Sequence, residues 1–200
     1  MRETKPDILE LLIRHELAVK GLYETLADLF PERRGFWQEI AQDEKRHSTR
    51  LEVLRAEESF KIWFRFNSRL KPQAIASSIS YVESLTARAT SRTLSLLEAL
   101  SISKDIETAL LEKQFSKIAE SAPGTIRAIV SDLAAETEQH RKLIIEALEA
   151  EKRKRRDFHP QRPGISHLKI MHSSFFFYDE VYSLFFDSHP AYIFGEYLSQ

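Results

Sequence analysis

Glu16, the pair Glu44 and His47, Glu107, and the pair Glu136 and His140 interrupt helical stripes that packing alone would fill with hydrocarbon. Glu16 follows Leu12 by four residues and precedes Val19 by three and Tyr23 by seven, so all four share one helix face. Glu44 and His47 lie between Ile40 and Leu51, with Trp37 and Leu54 continuing the stripe. Glu107 stands two turns after Leu100, and Leu110, Leu111 and Ile118 follow. His140 falls between Leu133 and the Leu143–Ile144 pair, with Glu136 one turn earlier. An ionised carboxylate facing a core is costly unless a cation meets it. These faces carry no matching set of Arg or Lys. Carboxylates and neutral imidazoles are ligands that iron and manganese accept, so a pair of divalent ions would supply the missing charge.

A single Glu-x-x-His carries little information: 22 glutamates and 7 histidines in 200 residues give about one by chance. Arrangement is what raises it. Glu16 precedes His47 by 31 residues and Glu107 precedes His140 by 33, and each interval holds one proline-marked turn, at Pro31 or Pro123. The chain therefore reads as a duplicated helical hairpin, each half bringing a carboxylate and a histidine inward.

The elements that must position these residues follow from periodicity. A first helix starts near Thr4, Pro6 and Asp7, with Thr4 as its cap, and carries Ile8, Leu11, Leu12, Val19, Leu22 and Leu26. Pro31 and Gly35 punctuate the chain before a second helix through Phe36, Trp37, Ile40, Leu51 and Leu54. Residues 59–75 are mixed, and Ala74–Ala89 reads as a short helix. A third long helix covers Ser91–Glu120, Ser121–Gly124 end it, and a fourth starts near Thr125. Two hairpins joined by a connection of about thirty-five residues give the connectivity of a ferritin-like four-helix bundle, all-α, with the short helix in the long crossover.

Composition agrees. Glycine and proline together make 12 of 200 residues, about half the average share, which argues against a turn-dense β fold. Lys and Arg number 29 against 30 Asp and Glu, so the basic excess of a nucleic-acid binder is missing. Zero cysteines exclude disulfides, thiolate catalysis and cysteine-ligated zinc or iron–sulfur centres. The N-terminus opens on charges without an apolar signal core, and no transmembrane run of 18 apolar residues occurs; a cytoplasmic protein is expected.

Glu16-x6-Tyr23 followed by Ile40-Ala-x2-Glu44-x2-His47, extending through Glu107 to His140, resembles the rubrerythrin-like branch of the ferritin-like di-iron superfamily over about residues 6–150. The resemblance implies a di-iron oxidoreductase, with manganese as the other candidate metal, acting as a peroxidase or ferroxidase on peroxide, dioxygen or ferrous iron. It implies Glu16 and Glu107 as single-carboxylate ligands, Glu44 and His47 as the second helix's pair, and His140 as the fourth helix's histidine. One position departs: the pattern wants Glu three before His140, where this chain has Thr137. Glu136 is the substitute carboxylate if the fourth helix shifts by one residue or bulges; otherwise the ligand is lost, leaving a five-ligand or single-metal site.

Other residues have duller readings. Tyr23 could hydrogen-bond a ligand carboxylate from behind or simply pack, Thr137 is a second candidate for that outer layer, and Gln114 mirrors Tyr23 in the second hairpin. His15 borders the apolar face and reads as a partly exposed histidine. Lys152–Arg156 reads as the solvated end of a helix. Residues 1–155 form the expected bundle. Residues 156–200 form an extension in which Ser174–Phe186 alone holds seven aromatics, expected to pack on the bundle or on another subunit of a homo-oligomer. With no cysteine, electrons must come from a separate donor or from ferrous iron. The alternative is a bundle whose metal site has degenerated and which serves as an interaction or structural module.

Overall fold

The computed structural model describes residues 7–67, 70–109, 120 and 122–158, and among them every regular element is a helix. The helices are α1 (Ile8–Leu29), α2 (Arg34–Ala56), α3 (Glu58–Asn67), α4 (Pro72–Thr90), α5 (Leu96–Ala109) and α6 (Gly124–Phe158), with a 3-10 turn at Pro31–Arg33. Leu110, Leu111, Gln114, Ile118 and the aromatic segment 159–200 lie outside the described residues.

Local chemistry explains the boundaries, with several corrections to the sequence reading. Asp7 is the N-cap of α1 rather than part of its first turn: its carboxylate accepts the Leu9 N–H at 3.0 Å. Thr4 lies outside the described residues. Pro31 opens the 3-10 turn, but Gly35 sits inside α2 and breaks nothing. The mixed segment is helical over Glu58–Asn67, because Phe60 and Phe64, four apart, are both buried. The third long helix starts five residues later than the stripe suggested. Ser95 and Glu98 form a capping box there: Ser95 Oγ accepts the Glu98 N–H at 3.3 Å, and Glu98 Oε2 accepts the Ser95 N–H at 2.9 Å. Just before it, Arg92 takes the left-handed conformation at φ 55° that ends α4.

The core comes in two parts with a polar layer between them. One part gathers Leu9, Leu12 and Ile13 of α1, Leu51 and Leu54 of α2, Ile75 and Ile79 of α4, and Val130 and Leu133 of α6. The other gathers Val19, Leu22, Tyr23 and Leu26 of α1, Trp37 and Ile40 of α2, Val82 and Leu85 of α4, Ala99 and Leu100 of α5, and Ile144 and Leu148 of α6. The order in which α1, α2, α4 and α6 meet the two cores, and for α5 the passage from Ala99 and Leu100 of the second core to Glu107 in the polar layer, fix the direction of each helix. Helices α1, α4 and α6 run one way, and α2 and α5 run the other. Helix α4 therefore carries the chain back along the bundle between the two hairpins. It is longer than the short crossover helix expected, and its residues enter both cores against α1. The basic run Lys152–Arg156 is exposed at the end of α6.

Candidate metal centre

Between the two cores, each helix presents the residues that broke its stripe: Glu16 on α1, Glu44 and His47 on α2, Glu107 on α5 and His140 on α6. All five are at most 5% exposed, as deep as the flanking leucines. Among the described residues, two groups have donor atoms close enough to share one ion: Glu16, Glu44 and His47, and Glu44, Glu107 and His140, each within 4.8 Å. Glu44 belongs to both. Its Oε2 lies 3.1 Å from His47 Nδ1 and its Oε1 lies 3.0 Å from His140 Nδ1. Glu16 Oε2 stands 3.4 Å from His47 Nδ1, and Glu107 Oε2 stands 3.9 Å from His140 Nδ1. The imidazole rings stack 5.5 Å apart.

The outward nitrogens are held just as symmetrically. His47 Nε2 faces Glu136 Oε2 at 3.0 Å, and Arg50 Nη1 donates to Glu136 Oε1 at 2.8 Å. His140 Nε2 faces Asp43 Oδ2 at 3.0 Å, and Arg46 pairs with that same carboxylate group. Each histidine is thus anchored by a carboxylate from the other's helix, and each carboxylate stands four residues before the histidine on its own helix. With Nε2 held by an outer carboxylate, Nδ1 of each ring is the nitrogen that faces the inner carboxylates, where it carries a proton in the absence of metal and would offer its lone pair to a bound ion.

The structure therefore brings Glu16, Glu44, His47, Glu107 and His140 together and places Glu136 outside them, 29% exposed, on the far nitrogen of His47. Helix α6 runs as unbroken α-helix through this stretch, without the one-residue bulge that would swing Glu136 inward. Thr137 stands where Glu44 stands relative to His47, and its hydroxyl donates back to the Leu133 carbonyl at 3.0 Å. Tyr23 reaches the site from behind, its hydroxyl donating to Glu107 Oε1 at 2.5 Å, and it stacks on Trp37.

Asp43 went unread in the sequence, although its spacing to His47 repeats that of Glu136 to His140, and the reading of His15 needs correcting. His15 is buried, not partly exposed: it is 2% exposed, and its Nε2 pairs with Ser78 Oγ of α4 at 3.0 Å. His15, Glu16, Val19, Glu44, Ile106, Glu107 and Thr137 line a cavity of about 20 Å³, room for one or two water-sized molecules.

Electrostatics show how much positive charge the layer lacks. Burial, reinforced by the Glu44 charge, pushes the carboxyl of Glu16 up to about 8 and that of Glu107 up to about 7. Glu44 is the exception: burial opposes its charge, but hydrogen bonds with His140 and His47 hold it well below the usual carboxylate range. Burial likewise opposes a charged His47, yet Glu16 and Glu44 lift it to about 11. His140 is raised in the same way, burial being outweighed by Glu44 and Glu107. Burial pulls His15 down to about 4, and burial together with Glu107 and Glu44 keeps Tyr23 protonated far beyond its ordinary range. Protons thus stand in for cations. His140 Nδ1 is buried and faces Glu44 Oε1 at 3.0 Å and Glu107 Oε2 at 3.9 Å. An inward imidazole nitrogen of that kind, among three carboxylates, suits a divalent transition metal.

Among the described residues, no helix is long and apolar enough to cross a membrane. The chain matches no family model, no curated protein and no solved structure.

Proposed function

We propose that this chain is a non-haem di-iron oxidoreductase of the rubrerythrin-like kind on a ferritin-like bundle, with manganese as the other candidate metal. The observation that carries the reading is Glu44, a buried carboxylate shared by two donor groups, each completed by one further glutamate and one histidine. The connectivity supports it as well: a helical hairpin, a returning crossover and a second hairpin frame the layer, the order of a bundle whose metals lie between helices. When bound, such a metal pair supplies one-electron steps toward peroxide, dioxygen or ferrous iron.

The chain's own residues supply the rest. Glu16, Glu44 and His47 would hold one ion, and Glu44, Glu107 and His140 the other. Asp43 and Glu136 fix the histidine tautomers, and Tyr23 fixes the Glu107 carboxylate. The two apolar cores seal the layer above and below, which keeps water away and strengthens every charge interaction inside. The absence of cysteine assigns electron supply to a separate donor or to ferrous iron. A cytoplasmic homo-oligomer is the setting this reading carries with it.

Elemental analysis after aerobic reconstitution with ferrous iron tests the proposal. About two irons per chain are expected, with consumption of peroxide or ferrous iron by the loaded protein. A chain that takes up no iron and no manganese is a helical scaffold acting through its surface, and the proposal fails.

A further inference from the structure

Helix α6 outruns the bundle it belongs to. It continues 18 residues past His140, whereas α1 ends 13 past Glu16 and α2 begins 10 before Glu44. Burial stops before the helix does: Glu151 is half-buried, and every residue from Lys152 to Asp157 is exposed. Successive helical positions are about 100° apart, so Lys152–Arg156 set five cations around the whole circumference of the stub. Packing gives no reason for them. Lys152 and Arg155 lean back on Glu149 and Glu151 at 2.8 and 3.7 Å, and Arg153, Lys154 and Arg156 form no salt bridge among the described residues. Like charges three and four apart on a helix repel, and one or two cations would already complement the C-terminal dipole. Three uncompensated cations on a stub that packs on nothing make a surface that meets negative charge.

The sequence beyond the stub selects the polyanion. Residues 157–173 add only Arg162 and Lys169 as cations, and residues 174–200 hold ten aromatics with no Lys or Arg among them. Single-stranded nucleic acid is tracked by cations interleaved with aromatics, and the net charge of the chain is −1. Here the cations come in one block and the aromatics in a second. A basic block that attracts acidic headgroups and an aromatic block that settles at the headgroup level are the two signals of attachment to a membrane surface. We propose that the free end of α6 and the aromatic block behind it dock on a bilayer bearing anionic lipid headgroups. Lys152–Arg156 supply the attraction, and the aromatics supply the apolar contact. Asp179, Glu180, Asp187 and Glu196 are repelled by an acidic surface, so the aromatic block binds there only with the basic block beside it. This surface is at the far end of α6 from the polar layer and stands whether or not that layer holds metal.

Cosedimentation of the full chain with vesicles tests this, using phosphatidylcholine alone and equal parts phosphatidylcholine and phosphatidylserine. The chain should bind the acidic vesicles, bind the neutral ones little, and release as salt shortens the screening length from about 10 Å at 0.1 M to about 3 Å at 1 M. Arg153→Gln, Lys154→Gln and Arg156→Gln together remove three exposed cations that support no part of the bundle. Each cation near an acidic surface is worth about fivefold in affinity, so binding should fall about a hundredfold, with helix content and thermal melting unchanged. Phe175→Ser, Phe176→Ser and Phe177→Ser together should weaken it by roughly tenfold or more. A parent that ignores acidic vesicles or binds neutral ones equally well overturns the proposal, as does either triple variant that binds like the parent. Tighter retention on a DNA duplex than on the acidic vesicles, lost in the Gln variant, assigns the cations to nucleic acid and overturns it too.

Discussion

Replacing Glu44 by Gln keeps the shape of the side chain and removes the charge that both donor groups share. Its two oxygens lie 3.1 and 3.0 Å from different imidazoles, so the substitution weakens both metal positions, whereas Glu16→Gln and Glu107→Gln each touch one. The magnitude follows from linkage. A metal at a hundred times its Kd stabilises the fold by about 2.7 kcal/mol per site, hence about 5 kcal/mol for two. For a chain of this size each kcal/mol moves Tm by about 2–4 °C. The difference in Tm between iron-loaded and metal-free protein should therefore be about 10–20 °C for the parent, roughly half that for Glu16→Gln or Glu107→Gln, and close to zero for Glu44→Gln. Taking this difference within each variant cancels the effect of the substitution on the metal-free fold. Differential scanning calorimetry with elemental analysis on the same samples reads both quantities. If Glu44→Gln keeps one metal and half the shift, as the single-group variants do, the two positions do not share that carboxylate and the reasoning is wrong.

Further predictions concern the surroundings. Asp43→Ala and Glu136→Ala should keep two metals per chain but weaken binding about 10- to 100-fold, measured by competition with a chelator; for Glu136→Ala, lost stoichiometry would instead make that residue a ligand. Tyr23→Phe leaves buried Glu107 without its hydroxyl donor and should cost about 1–3 kcal/mol in denaturant unfolding of the metal-free protein, with metal content unchanged; no loss would mean that the contact adds nothing. Metal binding must displace the protons held by Glu16 (about 8), Glu107 (about 7) and His47 (about 11). Proton release, measured by calorimetry in buffers of different ionisation enthalpy, should thus accompany loading at neutral pH, with affinity rising from pH 6 to pH 8. The same three groups have folded-state values above their unfolded ones, so their contribution to the metal-free fold is complete at low pH and lost as pH rises through those values. Metal-free protein should melt lower at pH 9 than at pH 6, and a flat profile would contradict the burial of these carboxyls.

The stripes made most of this layer legible. Glu16, Glu44, His47, Glu107 and His140 could be picked out because each replaces hydrocarbon at a helical spacing that continues on both sides, a local signal that needs no partner. Asp43 lies one position before Glu44, off the apolar face, and its role depends on His140 of a helix nearly a hundred residues away. His15 is harder still, since α4 is what buries it, and its anchor Ser78 is one of many serines. Glu136 shows the limit of counting by spacing. Pro31 to Glu44 and Pro123 to Glu136 are both thirteen residues, yet Glu136 stands four before His140, whereas Glu44 stands three before His47. On a continuous helix, one residue is a rotation of about 100°, enough to turn a would-be ligand into an outer anchor. Ser95 and Glu98 were readable as a capping box, and the stripe upstream masked them.

The polar layer works against the stability of the bundle. Helices α1, α2 and α6 supply leucine or its equivalent on both sides of it, so a continuous apolar core was within reach at their positions. Replacing a buried set of charges by hydrocarbon of similar volume is commonly neutral or stabilising. Without metal, the arrangement holds carboxyls in the protonated form, a cost that packing neither requires nor relieves. The departure from a consistent apolar core is confined to one level, recurs on four helices, and is answered outside that level by two reciprocal carboxylate–histidine pairs. Conflict this localised marks a functional site rather than a poorly packed scaffold. A bound cation pair would remove all of it at once: it would replace the protons on Glu16 and Glu107, take the lone pairs of both imidazoles, and turn the repulsion among three carboxylates into binding.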